Sequence, residues 1–173
     1  MMKKLLRYII LLIVIGLASF LLIRITASIR QKDAAAARIQ MLPSIELYSL
    51  KGDKTNIRKL VKDRATVIIY FSPDCEYCQY EATEFYQNFS AFQHTEIIMV
   101  THADPAETMR FVHTYRLDSI PFIHFLLDKN NLFSKTFGTR VFPSIFIYNK
   151  DHKLIKKFIG ETKIEAIMSA MED

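Results

Sequence analysis

The chain has two cysteines, Cys75 and Cys78, which bracket two residues in Cys75-Glu76-Tyr77-Cys78. An apolar run at residues 66–71 leads to them through the breaker Ser72-Pro73-Asp74, so the pair is expected to open a helix at the end of a strand. In the first turn of a helix the unpaired N–H groups and the macrodipole favour negative charge, and so favour a thiolate. The thiolate is the nucleophile of disulfide exchange, and a helix N-terminus in such a motif brings a thiol pKa from about 8.5 into a range of roughly 3.5–7.5. Cys75 is therefore the expected attacking thiol, with Cys78 one turn further on as the resolving one. The rival for a Cys-x-x-Cys pair is half of a structural zinc site, which asks for four ligands. No second Cys pair exists, and His94, His102, His113, His124 and His152 are scattered without ligand spacing, so no metal is expected.

The rest of the chain must hold that pair in place. Its 173 residues, half of them hydrophobic, have room for an N-terminal segment and one domain with a substantial core. The net charge of +5 comes entirely from residues 1–30, where Lys3, Lys4, Arg7, Arg24 and Arg30 meet no acid. From Gln31 onward 18 basic residues balance 18 acidic ones, which gives nucleic-acid binding no electrostatic support. The basic residues flank an apolar segment at residues 5–25, with no charge between Arg7 and Arg24. Snorkelling basic side chains extend such a span toward the roughly 20 residues that a bilayer core requires. An uncleaved anchor in the lipid bilayer is expected, the alternative being a cleaved signal peptide. The stretch is longer than an ordinary signal h-region, and Thr26-Ala27-Ser28 is a poor cleavage site. Basic residues on both sides leave the orientation open by charge alone. A chain whose only thiols are its reactive pair suits an oxidising compartment, which places the domain outside the cytoplasm.

Residues 31–41 are Ala-rich and read as a linker or as a stalk continuing the anchor helix, with the folded domain at 42–173. A β-hairpin is expected at 44–57 around Lys51-Gly52-Asp53-Lys54, then a short helical stretch at 57–61. Past the cysteines, Cys78, Ala82, Phe85 and Phe89 recur at helical spacing and predict one buried stripe. The continuous apolar run at 96–101 predicts a buried strand, parallel to the one at 66–71 in a βαβ unit. Asp104, Pro105 and Glu107 are the N-cap, N1 and N3 of a further helix. The segment 120–127 is partly extended, with Pro121 leaving its pairing open, and Gly138 ends a short helix. A second hairpin at 144–159 and a final helix bearing Ile164, Ile167, Met168 and Met171 close the chain.

This order of elements resembles the thioredoxin superfamily, and within it the membrane-anchored thiol–disulfide oxidoreductases of the TlpA/ResA type. Three stretches carry the likeness: the leading hairpin from Leu42-Pro43-Ser44-Ile45, the active-site run Phe71-Ser72-Pro73-Asp74-Cys75-Glu76-Tyr77-Cys78, and the loop Gly138-Thr139-Arg140-Val141-Phe142-Pro143-Ser144. The resemblance implies a thioredoxin-like α/β fold, a central mixed sheet flanked by helices, with an extra N-terminal hairpin and a transmembrane helix. It implies a redox-active Cys75–Cys78 disulfide and no cofactor. It makes Pro143 the cis-proline beside the dithiol, and Phe142 the residue whose backbone docks the substrate chain. The implied partners are disulfide proteins outside the cytoplasm, such as apocytochromes, and a membrane electron donor. The chain departs from thioredoxins in having Asp74 in place of the usual Trp and Ile69 in place of the buried acid that accepts a proton. Asp74 and Glu76 beside the thiolate oppose the helix dipole, which points to a reductant. Two other classes share the fold. A thiol peroxidase is one, for which Ser72 fits the motif but Ile68 stands where its proline belongs. A non-enzymatic adaptor or metallochaperone is the other.

Overall fold

The computed structural model describes the backbone of residues 2–61 and 64–172. It describes the side chains of these residues except 2–11, 31, 32 and 172, so the basic flank Lys3, Lys4 and Arg7 lies outside the described side chains. Helix α1 (Met2–Arg38) runs without a break, so the Ala-rich stretch continues the helix. Its described part is long and apolar enough to cross a membrane, and residues 12–30 are exposed throughout. At its far end the helix enters the folded body, where Ala35, Ile39 and Leu42 are buried.

Strands β1 (Glu46–Ser49) and β2 (Lys54–Asn56) form the leading hairpin, and α2 (Ile57–Leu60) follows, capped by Asn56 Oδ1 accepting from Arg58 N–H. Strand β3 (Ala65–Tyr70), helix α3 (Glu76–Gln87) and strand β4 (Thr95–Thr101) make the expected βαβ unit, with β3 and β4 parallel. Helix α4 (Pro105–Thr114) starts at Asp104, whose Oδ1 accepts from Glu107 N–H at 2.8 Å. It leads into β5 (Ile123–Leu127), which pairs parallel to β4 and antiparallel to β1. Pro121 lies just ahead of β5, where its missing N–H costs no ladder bond. Helix α5 (Leu132–Phe137) ends at Gly138, and β6 (Ser144–Tyr148), β7 (Leu154–Ile159) and α6 (Ile164–Glu172) complete the fold.

The seven strands lie in one sheet of order β2-β1-β5-β4-β3-β6-β7. Apolar side chains on its two faces make two cores. One collects Cys78, Ala82 and Phe85 of α3, Phe111 and Val112 of α4, and Ile164 and Ile167 of α6. The other collects Ile39, Leu42 and Ile57 with Phe133 and Phe137 of α5. The stripe predicted for α3 holds through Phe85 and fails at Phe89. The helix ends at Gln87, the chain turns into a 3-10 segment (Phe89–Phe92), and Phe89 is exposed while Phe92 fills the core against Phe85.

Gly138 has φ +66°, and a Cβ built there would stand 2.5 Å from Ala35 Cβ. Left-handed backbone and a rigid neighbour both exclude a side chain. Gly138→Ala is expected to cost on the order of 2–3 kcal/mol and to lower the melting temperature by roughly 5–10 °C, read by thermal unfolding of the full chain in detergent.

Candidate functional site

The parallel strands β3 and β4 both end at the edge where the dithiol sits. Tyr70 closes β3, the chain turns through Ser72-Pro73-Asp74, and Cys75 stands at the N-cap of α3. Gln79 Nε2 donates to Pro73 O at 2.8 Å and fastens this turn. The Sγ of Cys75 accepts the Cys78 N–H at 3.3 Å, using one of the unpaired donors of the helix end. Both cysteines are free thiols, Cys75 half-buried and Cys78 buried. Burial pushes the Cys78 thiol well above its ordinary range, and its hydrogen bond with Cys75 and the nearby Glu81 push the same way. One sulfur is therefore reachable, and the other is held back as a thiol until a base takes its proton.

Glu81 is the best candidate for that base, and the sequence reading missed it. It sits on α3 one turn past Cys78, 3% exposed, and neither carboxylate oxygen has a hydrogen-bond partner among the described residues. Burial raises its pKa from 4.5 to about 8. Thr162 of the loop before α6 offsets part of the rise, and Glu161 adds to it. The position at which the resemblance expects a buried acid holds Ile69, a buried core residue. Glu81 supplies the acid from the helix instead. The signal was available: Glu81 stands inside the apolar stripe Cys78, Ala82, Phe85, three residues from the first and four from the last. Asp74 and Glu76, by contrast, are not buried.

The loop before β6 completes the edge. The Phe142–Pro143 peptide is cis, Pro143 is buried and Phe142 half-buried. Ser144 Oγ donates to Val141 O at 2.7 Å and shares a hydrogen bond with Thr139 Oγ1, so the loop is pinned on both sides. The Phe142 ring stacks on His102 and leans on Tyr70, with centroids at 5.2 and 4.8 Å. Ser144, next to Pro143, pairs with Tyr70 at the end of β3, so the Phe142–Pro143 loop and the turn that leads to Cys75 and Cys78 leave the sheet at the same edge. Beside this loop is an open cavity of about 430 Å³ lined by Tyr70, His102, Asn131, Lys135, Arg140 and Phe142 among others, with no acid in its wall. Tyr77 and Tyr80 are exposed on the first turns of α3. No group of three or more His, Cys, Asp or Glu arranged for a metal occurs among the described residues.

Comparison with solved structures places the fold. A secreted Mycobacterium tuberculosis disulfide oxidoreductase homologous to E. coli DsbE is similar over 78% of this chain and 96% of its own, at 17% identity and TM-score 0.64. StoA from Bacillus subtilis is similar over 76% and 98%, at 16% identity and TM-score 0.58. Peroxidoxin BcpB from M. tuberculosis is similar over 75% and 94%, at 15% identity and TM-score 0.65. At these identities the likeness is one of fold: the protein has the thioredoxin-like fold expected of it. A sequence search found no match among curated proteins. The family model described as AhpC/TSA, a family of redox proteins, matches residues 39–157, which include the dithiol, Glu81 and the cis-proline loop, and the chain belongs to that family.

Proposed function

We propose that the protein is a membrane-anchored, extracytoplasmic thiol–disulfide oxidoreductase that reduces disulfides in exported proteins, apocytochromes being one such class. The observation that carries this reading is the asymmetry of the dithiol: a reachable Cys75 at a helix N-cap, a buried Cys78, and an unpartnered buried acid one turn behind it. In the forward reaction the Cys75 thiolate attacks a sulfur of the partner's disulfide, and the partner's other sulfur leaves as a thiolate and takes up a proton. The Cys78 thiol then gives its proton to Glu81 and attacks Cys75 Sγ. The partner's second thiol is released, and Cys75–Cys78 becomes a disulfide, having given up two electrons. Phe142 and Pro143 offer the backbone edge along which the partner chain lies, with Tyr77 and Tyr80 as apolar contacts on the other side of Cys75.

The reduction potential of the Cys75–Cys78 couple tests this reading, measured on the full chain in detergent against glutathione and dithiothreitol buffers. A value near or below about −250 mV is expected of a reductant, and a value near about −120 mV would make the protein an oxidant. A second reading, a thiol peroxidase, draws on the family match and on the likeness to a peroxidoxin. There Cys75 thiolate takes an oxygen from a hydroperoxide to give a sulfenic acid and an alcohol or water, and Cys78 condenses with it to the same disulfide, releasing water. Ile68 speaks against it, since it lies inside β3 and pairs with both β4 and β6, where a proline has no place. Turnover of hydrogen peroxide with dithiothreitol as reductant separates the two. The oxidoreductase reading expects exchange with peptide disulfides to outrun peroxide consumption at least tenfold.

A further inference from the structure

The cavity beside the cis-proline loop draws its wall from separate parts of the chain. Tyr70 closes β3, His102 follows β4, Ser134 and Lys135 belong to α5, and Arg140 and Phe142 come from the loop before β6. Its apolar part is firmly packed: Tyr70 is buried with its ring on Phe133 and Phe142, at centroid distances of 5.0 and 4.8 Å, and His102 lies flat on Phe142. Ser134 Oγ donates to Asn131 O at 3.2 Å. The Tyr70 hydroxyl is pushed up to about 12 by burial and by Asp128, while Ser134 and Arg140 hold it down, so both stand close to it.

The charge of the cavity is one-sided. Lys135 and Arg140 are exposed, neither forms an ion pair among the described residues, and no acid lines the cavity. Asp128, behind the wall, is buried, and its two oxygens accept from the N–H groups of Phe133 and Ser134 at 3.0 and 3.2 Å. The exposed acids that flank Cys75, Asp74 and Glu76, are not among the lining residues, so the positive charge belongs to the loop side. Two cations without partners and a hydroxyl over an aromatic floor suit one carboxylate on a short apolar stem. A volume of about 430 Å³ accepts a whole side chain. Phe142 packs on both cores and separates this cavity from the dithiol side of the sheet. A chain lying along its backbone therefore has its sulfur on one side and a side chain within reach of the cavity on the other.

Building on the oxidoreductase reading, we infer that this cavity is a substrate-selecting subsite for the carboxylate of an aspartate or glutamate near the reactive cysteine of the partner polypeptide. Lys135 and Arg140 are its charge partners, and the Tyr70 hydroxyl is a further donor. These residues hold the partner chain in one register over Cys75. The contact is made before the attack as well as during it, so it strengthens binding more than it speeds the chemical step.

The test uses the reduced full chain in detergent under single-turnover conditions. Each peptide carries one cysteine as a mixed disulfide with a chromogenic aryl thiol, and a single Glu is moved along the positions on either side of it, with Gln peptides as controls. The Cys75 thiolate displaces the aryl thiolate, and Cys78 then releases the peptide thiol. The pair gives up two electrons and two protons to the mixed disulfide. At one position or two neighbouring ones, Glu is expected to lower the half-saturating peptide concentration about tenfold relative to Gln, the worth of one charge-assisted hydrogen bond. Arg140→Gln and Lys135→Gln should each cut that ratio severalfold, and Lys135→Glu should move the preference to a Lys at the same position. An equal gain at every position would be general electrostatic attraction and would overturn the subsite, as would a ratio unmoved by all three substitutions. Glutathione disulfide reacting faster than the best peptide, in a manner dependent on Lys135 and Arg140, would give the cavity to a small anionic thiol and overturn the polypeptide assignment. Fluorescence anisotropy of labelled peptides lacking the cysteine, bound to the Cys75→Ser full chain, keeps the two readings apart. Aryl thiol release without a Glu preference sinks the subsite alone. No release from any peptide sinks the oxidoreductase reading, and the Glu-to-Gln binding ratio still decides the subsite.

Discussion

Glu81→Gln is expected to make the protein more stable and markedly slower. The Glu81 carboxyl has its pKa raised from 4.5 to about 8 by burial, so the folded state binds its proton more tightly than the unfolded chain does. Stability linked to this group is fully present below about pH 4.5, falls as pH rises, and levels off above about 8, where the charged form is buried. The loss approaches on the order of 3 kcal/mol at pH 7 and 5 kcal/mol at pH 9, since each tenfold difference in proton affinity between the folded and unfolded states is worth about 1.4 kcal/mol. Gln has the same shape and cannot ionise, so its advantage should grow with pH. Urea unfolding of the two proteins at pH 5, 7 and 9 reads it directly: similar midpoints at pH 5 and a gain of roughly 2–4 kcal/mol at pH 9. The same change removes the group placed to take the Cys78 proton, and a positioned acid–base group contributes about 10²–10⁴ in rate. Resolution of the mixed disulfide should slow by that order. In the parent its rate should rise with pH through about 8, and the variant should lack that inflection. A merely structural Glu81 would alter stability and leave the inflection in place.

The two cysteine variants should fail in opposite ways. With Cys75→Ser the attacking sulfur is gone and Cys78 is buried, so exchange with a peptide disulfide is expected to drop by at least about 10³. With Cys78→Ser the first attack proceeds and the second cannot, so the protein should accumulate as a mixed disulfide with its substrate, visible by non-reducing electrophoresis and intact mass. Trapping through Cys78 in the Cys75→Ser variant would reverse the assignment of roles. The Cys78→Ser variant also separates the two chemistries compatible with the family. Mixed disulfides with proteins of the cell envelope belong to an oxidoreductase, whereas a lasting sulfenic acid on Cys75 after peroxide belongs to a peroxidase.

The stability gain and the loss of rate expected of Glu81→Gln share one physical cause, the burial of Glu81. The surrounding core, with Phe85 and Ala82 on the same helix, gives a charged Glu81 no side-chain partner, and only the Thr162 backbone steadies it. Burial makes the group costly to ionise near neutral pH, and it sits one turn from the Cys78 thiol whose proton it is proposed to take. Proteins retain such groups where function requires them, at a cost in stability.

What the sequence determined by itself was local. A β-branched and aromatic run followed by Ser-Pro-Asp places Cys75 and Cys78 at a strand-to-helix turn, whatever the rest of the chain does. Asp104, Pro105 and Glu107 start α4, and Gly138 ends α5, because caps and left-handed turns are decided by residues a few positions apart. The hairpins and the parallel βαβ unit were legible for the same reason. Tertiary structure alone decided the rest. Glu81 and Glu84 are chemically identical and one turn apart, and only the packing of α6 and the loop at Thr162 over α3 buries the first. Phe89 lost its place in the stripe to Phe92 because the helix ended two residues before it. The pairing of β5 between β4 and β1, the contact of His124 with Glu96 at 3.0 Å, and the seating of Ala35 on Gly138 join residues far apart along the chain. Burial and partner choice depend on which distant surfaces meet, and no spacing rule along a single chain encodes that.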